Sequence, residues 1–431
     1  MPKTSKLLEQ IKGQKAKALF NTLYGKHEGV IAFQTDRYTK AVHSYHTYFG
    51  QESNDVSIFS TSGRTEVGGN HTDHNGGRVL AAGVSLDTLA VIAPVNDGII
   101  TIYSEGFPDV FVVNVAEIEI QEKEKGTTLA LIRGIVARMQ KLGLQIGGFQ
   151  GYVASSVLRG SGLSSSAAFE VLICTILDHL YNDGKLDGKQ VAMISQYAEN
   201  VYFGKPCGLM DQTACALGGF VTIDFEDFEN PKVRSVAFDF AASGYRLVVV
   251  DTGGDHTNLT EEYASITDEM KQIAAYYGKS VLRQVPVTMI EQDMGVLRCK
   301  VSDRAVLRAL HFHDDDRRVV QEVEALDQAD FQKFLSLVIQ SGESSWKLLQ
   351  NCYVGGYRHQ GLTLALAASE RILKGKGAWR VHGGGFAGTI QAFVPDSMVD
   401  EYTYRLNHIF GKNACTLLSI RPIGSIRVSF E

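Results

Sequence analysis

Two glycines, Gly160 and Gly162, precede three consecutive serines, Ser164 to Ser166, and an apolar helical pattern begins immediately after them. Small residues let a backbone approach an anion closely. The N–H groups of a helix start, joined by hydroxyls, can hold phosphate oxygens or a metal ion. One serine in this place reads as a helix N-cap. Three in a row after two glycines exceed what capping needs, so the segment reads as a phosphate loop. It is not a Walker loop, because the GKS at Gly278 to Ser280 has Ile273 where that motif needs its first glycine.

A second cluster, Gly63 to Gly77, reads GRTEVGGNHTDHNGG and packs Arg64, Glu66, Asn70, His71, Asp73, His74 and Asn75 between glycines. Such a density of rigidly held donors and acceptors suits a sugar. His71 and His74 with Asp73 could instead hold a metal, although no further ligand set follows. In CGLMDQ, Asp211 stands among apolar residues ahead of the Gly218-Gly219 turn, as either a structural acid or a catalytic carboxylate. The run Gly383 to Gly388 formally contains GxGxxG. The β-like TIQAFVP that follows it excludes a Rossmann turn and leaves either a tight strand-to-strand turn or a ligand contact. The acidic HFHDDD at His311 to Asp316 reads as the solvated start of a helix over 318–340.

These groups need a scaffold. Residues 5–48 read as helices with a loop, and Val79 to Pro94 and Ile99 to Val113 as strands. Helical spacing covers Thr127 to Leu142, Ser164 to Tyr181 and Gln190 to Phe203. Strand-like Gly219 to Phe225 and Tyr245 to Asp251 come next. Helices are then expected over Glu261 to Tyr277 and Leu362 to Lys374, and strands over Ala378 to His382, Thr389 to Val394 and Ser425 to Phe430. Sheet followed by helices, twice over, describes an α+β protein of two domains. At 431 residues, two domains with a site between them are expected.

Apolar residues at 44% and charged residues at 21% exclude disorder and coiled coil. The formal charge of -6 gives no global basic signature for nucleic acid or anionic lipid. No stretch approaches ~18 uncharged apolar residues, so no membrane span or export signal is expected. The six cysteines form no CxxC pair and read as reduced thiols of a cytoplasmic protein.

Taken in order, the motifs resemble the galactokinase family of the GHMP kinase superfamily. GRTEVGGNHTDHNGGRVL resembles the signature GRxNxIGEHxDYNxGxVL, and RGSGLSSSAAFEV resembles GxGLSSSAAxxV. CGLMDQ resembles CGxMDQ, and VHGGGFAGTIQAFV resembles the third motif of that superfamily. The resemblance implies a two-domain α+β GHMP kinase fold, mixed sheets covered by helices, with the active site in the interdomain cleft. An N-terminal sugar- and nucleotide-binding domain would span 1–215 and a C-terminal domain 216–431. It implies ATP and Mg2+ and transfer of the γ-phosphoryl group to a sugar hydroxyl, the C1 hydroxyl of galactose in galactokinase itself. A kinase for a related hexose or deoxysugar, or a catalytically silent sugar- and ATP-binding regulator, is the alternative. The expected partners are the sugar and ATP, without nucleic acid or membrane, for a monomer or small homo-oligomer.

Carried over by position, the resemblance makes Asp211 the catalytic carboxylate, with Arg64 stabilising it or the transferring phosphoryl. Asn70, His71, Asp73, Gly208, Asp211 and Tyr263 would contact the sugar. Gly160, Ser161, Gly162, Leu163, Ser164, Ser165, Ser166, Ala167 and Ala168 would wrap the phosphates, and Ser166 with Glu199 would hold Mg2+. The chain departs from the signature mainly in the sugar motif. Thr65-Glu66 stands for Val-Asn, Gly68 for an aliphatic residue, Asn70 for Glu and His74 for Tyr. Asn70 replaces an ionised acceptor by an amide that donates and accepts, which implies an altered sugar contact.

Overall fold

The computed structural model describes residues 4–27, 29–50, 56–157, 162–254, 259–355 and 358–430. Three helices lead the chain: α1 (Thr4–Ile11), α2 (Gln14–Tyr24) and α3 (Val30–Phe49). Strands β1 (Ser57–Gly68) and β2 (Arg78–Val95) follow, then the hairpin β3 (Ile99–Ser104) and β4 (Phe111–Asn114). Helix α4 (Thr128–Lys141) and strand β5 (Gly148–Ser155) precede α5 (Ser165–Tyr181), α6 (Gly188–Tyr197) and α7 (Met210–Leu217). The hairpin β6 (Phe220–Asp224) and β7 (Lys232–Val236) completes the first half. The second half holds β8 (Tyr245–Asp251), α8 (Thr260–Tyr276), α9 (Val287–Leu297), α10 (Asp303–Asp327), α11 (Phe331–Ser344) and α12 (Gly361–Leu373). It ends with β9 (Ala378–Val381), β10 (Thr389–Pro395), α13 (Val399–Phe410), β11 (Cys415–Leu418) and β12 (Ile426–Val428).

The strands form two sheets. The larger runs β12-β1-β2-β5-β3-β4, with β6 and β7 added along the first half of β2, and the smaller runs β11-β8-β10-β9. Alternation of side chains sets the layers of the larger sheet. Ile58, Leu89, Val91 and Ala154 pack under α1 to α3 with Phe20, Leu23 and Tyr38. Their neighbours Phe59, Ala90, Ile92 and Val153 join α4, α5 and α6 in the main core. In the smaller sheet Leu247 and Val249 face that same core, while Val248 and Val250 pack against α12 and α13. The core is therefore continuous from one sheet to the other.

A buried ionic hub fastens both chain ends to the larger sheet. Asp87 on β2 is fully buried; it meets Arg37 of α3 at 2.5 Å and Arg421 at 3.2 Å, and accepts a hydrogen bond from the Tyr24 hydroxyl of α2 at 2.6 Å. Burial raises the Asp87 carboxyl, but the two guanidinium groups outweigh it and hold the group below the usual carboxylate value.

Several expectations from the sequence need correcting. Residues 99–113 form two strands of a hairpin, not one strand. HFHDDD is not a solvated helix start but lies in the middle of α10, where His311 and Asp315 are buried, and the helix expected over 318–340 is broken between α10 and α11. The segment expected to hold the domain boundary, residues 205–240, contains α7, β6 and β7, and residue 215 lies inside α7. The sheets divide the chain between β7 and β8, and β12 then returns to pair with β1. Strand β1 was not expected, because its buried residues include Ser60, Thr61, Ser62, Arg64, Thr65 and Glu66 and give no apolar alternation.

Candidate active site

Arg64 sits on β1 directly after an irregularity in its pairing with β2. A Cβ at Gly63 would lie 2.9 Å from the carbonyl oxygen of Leu163, so glycine there lets the serine-rich loop rest on the strand. The Arg64 N–H donates to that same carbonyl at 3.1 Å. Its guanidinium forms a two-pronged ion pair with Asp211 on the first turn of α7, Nε to Oδ1 and Nη2 to Oδ2, both at 2.7 Å. The remaining Nη1 donates to the Gly162 carbonyl. This fork is the geometry that a guanidinium provides and an ammonium does not.

Ser164 closes the arrangement. It adopts the left-handed conformation with φ 58°, and its hydroxyl donates to Asp211 Oδ2. Burial raises the Asp211 carboxyl, and the Arg64 charge and the two hydrogen-bonding partners pull it below its ordinary value. Asp211 is thus an ionised acceptor with about 30% of its side chain still exposed.

That exposure faces a pocket of about 230 Å³ whose wall includes Arg64, Glu66, His71, Asp73, Gly208 and Gly384. His71 Nε2 donates to the Gly384 carbonyl at 2.9 Å, which places the proton on that nitrogen. Burial pushes the ring down to about 4, so it is a neutral imidazole at physiological pH. The structure thereby brings together His71, Asp73, Gly208, Asp211 and Arg64. Tyr263 lies one layer behind: its hydroxyl donates to the Gly385 carbonyl at 2.7 Å, and its ring abuts Gly384.

Asn70 is placed differently from the expectation. Its side chain is fully buried and does not line the pocket. Nδ2 donates to Glu66 Oε1 and to the Gly383 carbonyl, both at 2.8 Å, and Oδ1 accepts from Asn351 Nδ2 at 2.8 Å and Ser345 Oγ at 3.2 Å. An amide has no further capacity once two donors and two lone pairs are used. Asn70 therefore joins the sugar-type motif to the glycine turn and to the segment just after α11, and leaves no group for a ligand.

The HFHDDD run explains how the motif is held. His311 Nε2 donates to the Asn70 carbonyl at 2.9 Å, Asp315 Oδ2 accepts from the Asn70 N–H at 2.8 Å, and Asp316 accepts from the Arg78 N–H at 2.7 Å. The smaller sheet braces β1 from the other side. Thr65 Oγ1 lies 3.1 Å from His382 Nε2 and donates to Gln391 Oε1 at 2.8 Å, while Arg380 Nη2 reaches Glu66 Oε1 at 2.9 Å. The sequence marks Glu66 only as a member of the polar cluster and a departure from the signature, and assigns a role neither to it nor to this bracing set. The one available signal was the carboxylate standing two residues after Arg64.

Of the expected phosphate residues, Gly160 and Ser161 lie outside the described residues. Gly162, Leu163 and Ser164 form the loop on β1, and Ser165, Ser166, Ala167 and Ala168 form the first turn of α5, where no side chain among the described residues caps the helix. Uncapped N–H groups at a helix start, next to Asp211, offer an anion its donors. Glu199 lies on the π-helical turn Ala198–Phe203 that follows α6. Gln212 Nε2 bridges Glu199 Oε2 at 2.7 Å and Glu170 Oε2 at 3.0 Å, so Glu199 adjoins the α5 face on which Ser166 and Glu170 stand one turn apart. Glu170 Oε1 and Gln212 Oε1 are buried without a partner among the described residues. A hydroxyl and a carboxylate are hard oxygen donors of the kind Mg2+ accepts when phosphates complete its shell.

Known proteins share long stretches of this sequence and its fold. Residues 130–219 match the GHMP kinases N terminal domain, and residues 43–94 match the galactokinase galactose-binding signature. A galactokinase of Streptomyces coelicolor is 31% identical over 357 residues, 82% of this chain and 88% of that protein. The crystal structure of Lactococcus lactis galactokinase complexed with galactose superposes with a TM-score of 0.75 at 21% identity, covering 90% of this chain and 98% of that one. Methanococcus jannaschii mevalonate kinase superposes with a TM-score of 0.60 at 15% identity, over 85% and 98% of the two chains. The structural likenesses carry the fold. Together with the motif matches, the Streptomyces relative assigns the lineage: the chain belongs to the galactokinase family of the GHMP kinases.

Proposed function

We propose that the chain transfers the γ-phosphoryl group of ATP to the C1 hydroxyl of galactose. The observation that carries this reading is the Asp211 carboxylate, gripped by Arg64 and Ser164 and open to a pocket walled by His71 and Asp73. The sugar lies in that pocket, and the phosphates lie over Gly162 to Ala168, where the N–H groups of the α5 start receive them. Mg2+, held by Ser166 and Glu199, would neutralise phosphate charge.

Asp211 orients the acceptor hydroxyl and takes its proton. Because Arg64 keeps Asp211 below its ordinary pKa, it is a weak base, and proton transfer falls late, as the bond to phosphorus forms. Phosphoryl transfer is chiefly positioning and charge stabilisation, so a weak, well-placed carboxylate is sufficient. His71, neutral and donating through Nε2 to the protein, offers Nδ1 as an acceptor for a sugar hydroxyl, and Asp73 offers a second acceptor.

None of the described helices is long and apolar enough to cross a membrane, and all six cysteines are unpaired. The unpaired thiols support a reducing, cytoplasmic setting.

The test is ADP release from Mg-ATP across galactose, N-acetylgalactosamine, arabinose, fucose, glucose and a blank without sugar. Turnover on galactose above the others is the expected result. Preference for another sugar would reassign the substrate. Silence on all of them with ATP binding intact would make the chain a sugar- and ATP-binding regulator.

A further inference from the structure

Glu66 is a carboxylate in the pocket wall to which the phosphoryl-transfer chemistry gives no task. It stands two residues after Arg64 in a regularly paired stretch of β1, so the two side chains share one face of the strand, and both line the pocket. Only about 6% of Glu66 is exposed. Oε1 is committed, accepting from Arg380 Nη2 at 2.9 Å and Asn70 Nδ2 at 2.8 Å. Oε2 has no hydrogen-bond partner among the described residues. An acceptor oxygen left without a protein donor on a mostly buried side chain is costly, and the pocket that Glu66 lines is where a donor can come from.

The pair Glu66 and Asn70 is also the exchanged form of the signature. GRxNxIGEH carries the amide at the position of Glu66 and the carboxylate at the position of Asn70, whereas here the carboxylate precedes the amide by four residues and the two are in contact. Asn70 has no atom left for a ligand, so the acceptor lost at position 70 is restored from position 66.

We propose that Glu66 is the specificity-determining acceptor of this chain, its Oε2 receiving a hydroxyl of the bound sugar other than the one phosphorylated, with Asn70 and Arg380 as positioning residues. The inference rests on the pocket being the sugar site. Two residues of extended strand, about 7 Å, separate the Cα atoms of Glu66 and Arg64, and Arg64 holds Asp211, so the hydroxyl read by Glu66 is a different one from that held at Asp211.

Galactose binding by titration calorimetry, read beside the KM values for galactose and ATP, tests this on the wild type, Glu66→Gln and the exchanged double variant Glu66→Asn/Asn70→Glu. Glu66→Gln is isosteric: its Oε1 keeps both protein contacts, and a donor replaces the acceptor that faces the pocket. Its galactose Kd and KM should rise about ten- to hundredfold, with the ATP KM within twofold of wild type. The double variant should recover most of the galactose affinity. Among 2-, 3-, 4- and 6-deoxygalactose, one analogue should bind wild type and Glu66→Gln equally, and that analogue identifies the hydroxyl. Unchanged galactose affinity in Glu66→Gln, or an equal loss on galactose and every deoxy analogue, would overturn the assignment. Calorimetry separates this from the kinase reading, because a wild type that binds galactose through Glu66 without ADP release removes only the latter.

Discussion

The carboxyl group of Glu322 fills the space that a side chain at Gly68 would need: a Cβ on Gly68 would lie 1.9 Å from Oε2 and 2.8 Å from Cδ. Helix α10 and strand β1 meet there, and the aliphatic residue of the family signature at this position cannot coexist with the present placement of Glu322. Gly68→Val should therefore cost about 1–3 kcal/mol through overpacking. Glu322→Ala in the same chain should relieve much of that cost. A double-mutant cycle by urea unfolding is expected to give a coupling of at least ~1 kcal/mol. Additive effects would mean that α10 moves aside instead.

Glu322 also makes stability depend on pH in a calculable direction. Both of its carboxyl oxygens are buried without a partner among the described residues, and burial pushes the group from 4.5 up to about 8, with Asp315 adding to the effect and Arg380 and Arg318 opposing it. The folded chain holds this proton more tightly than the unfolded chain does. The stabilisation is complete below pH 4.5 and is lost progressively as pH rises through about 8. Glu322→Gln lacks this loss, so its stability relative to wild type should improve by roughly 3 kcal/mol between pH 5 and pH 8. Urea midpoints at the two pH values measure it, and a difference independent of pH would show that Glu322 ionises normally.

The Arg64 fork leads to a different contrast. Arg64→Lys keeps a charge near Asp211 but cannot make the paired 2.7 Å contacts together with the bond to the Gly162 carbonyl. It should lower kcat by about a hundredfold or more, with ATP affinity changed less than tenfold. Asp211→Ala should abolish transfer with ATP binding little changed. Equal loss of turnover and ATP binding in a folded Asp211→Ala would make Asp211 a structural residue.

The hub at Asp87 bears on stability away from the site. Asp87→Asn would leave Arg37 and the fully buried Arg421 without their counter-charge. Removal of one partner from such a cluster costs about 3–5 kcal/mol. The same substitution should leave the galactose KM of the surviving folded protein unchanged. Denaturant unfolding and steady-state kinetics on one preparation separate the two effects, and a loss below ~1 kcal/mol would mean that solvent reaches the hub.

What the sequence made legible was local. The serine-rich loop, the Gly63 to Gly77 cluster, CGLMDQ and the triple glycine are each a few residues long and declare their chemistry by type, and the fold brings all four to one place. What it concealed was polar burial. Strand β1 carries buried Ser, Thr, Arg and Glu in place of an apolar alternation, and the acids of HFHDDD look solvent-facing although Asp315 and Asp316 bind backbone N–H groups of the sugar motif. The roles of Glu66 and Asn70 turn on which of two adjacent polar groups faces the pocket. Composition cannot show that, because both types suit a sugar.

The serines of the phosphate loop should separate by mechanism. Ser164 Oγ donates to Asp211 and lies against the acceptor side of the site, whereas Ser166 stands on the first turn of α5 beside the Glu170 and Glu199 carboxylates. Ser164→Ala removes one of the bonds that favour ionised Asp211, so the Asp211 carboxyl should rise toward its ordinary value. Because the ionised form accepts the proton, the acid limb of kcat/KM should move to higher pH in this variant. Ser166→Ala should leave that limb in place and raise the Mg2+ concentration needed for half-maximal rate by about tenfold. Paired pH profiles and Mg2+ titrations on the two variants check both statements. A Ser166→Ala enzyme with unaltered Mg2+ dependence would remove that hydroxyl from the metal shell and leave Glu199 as its protein ligand.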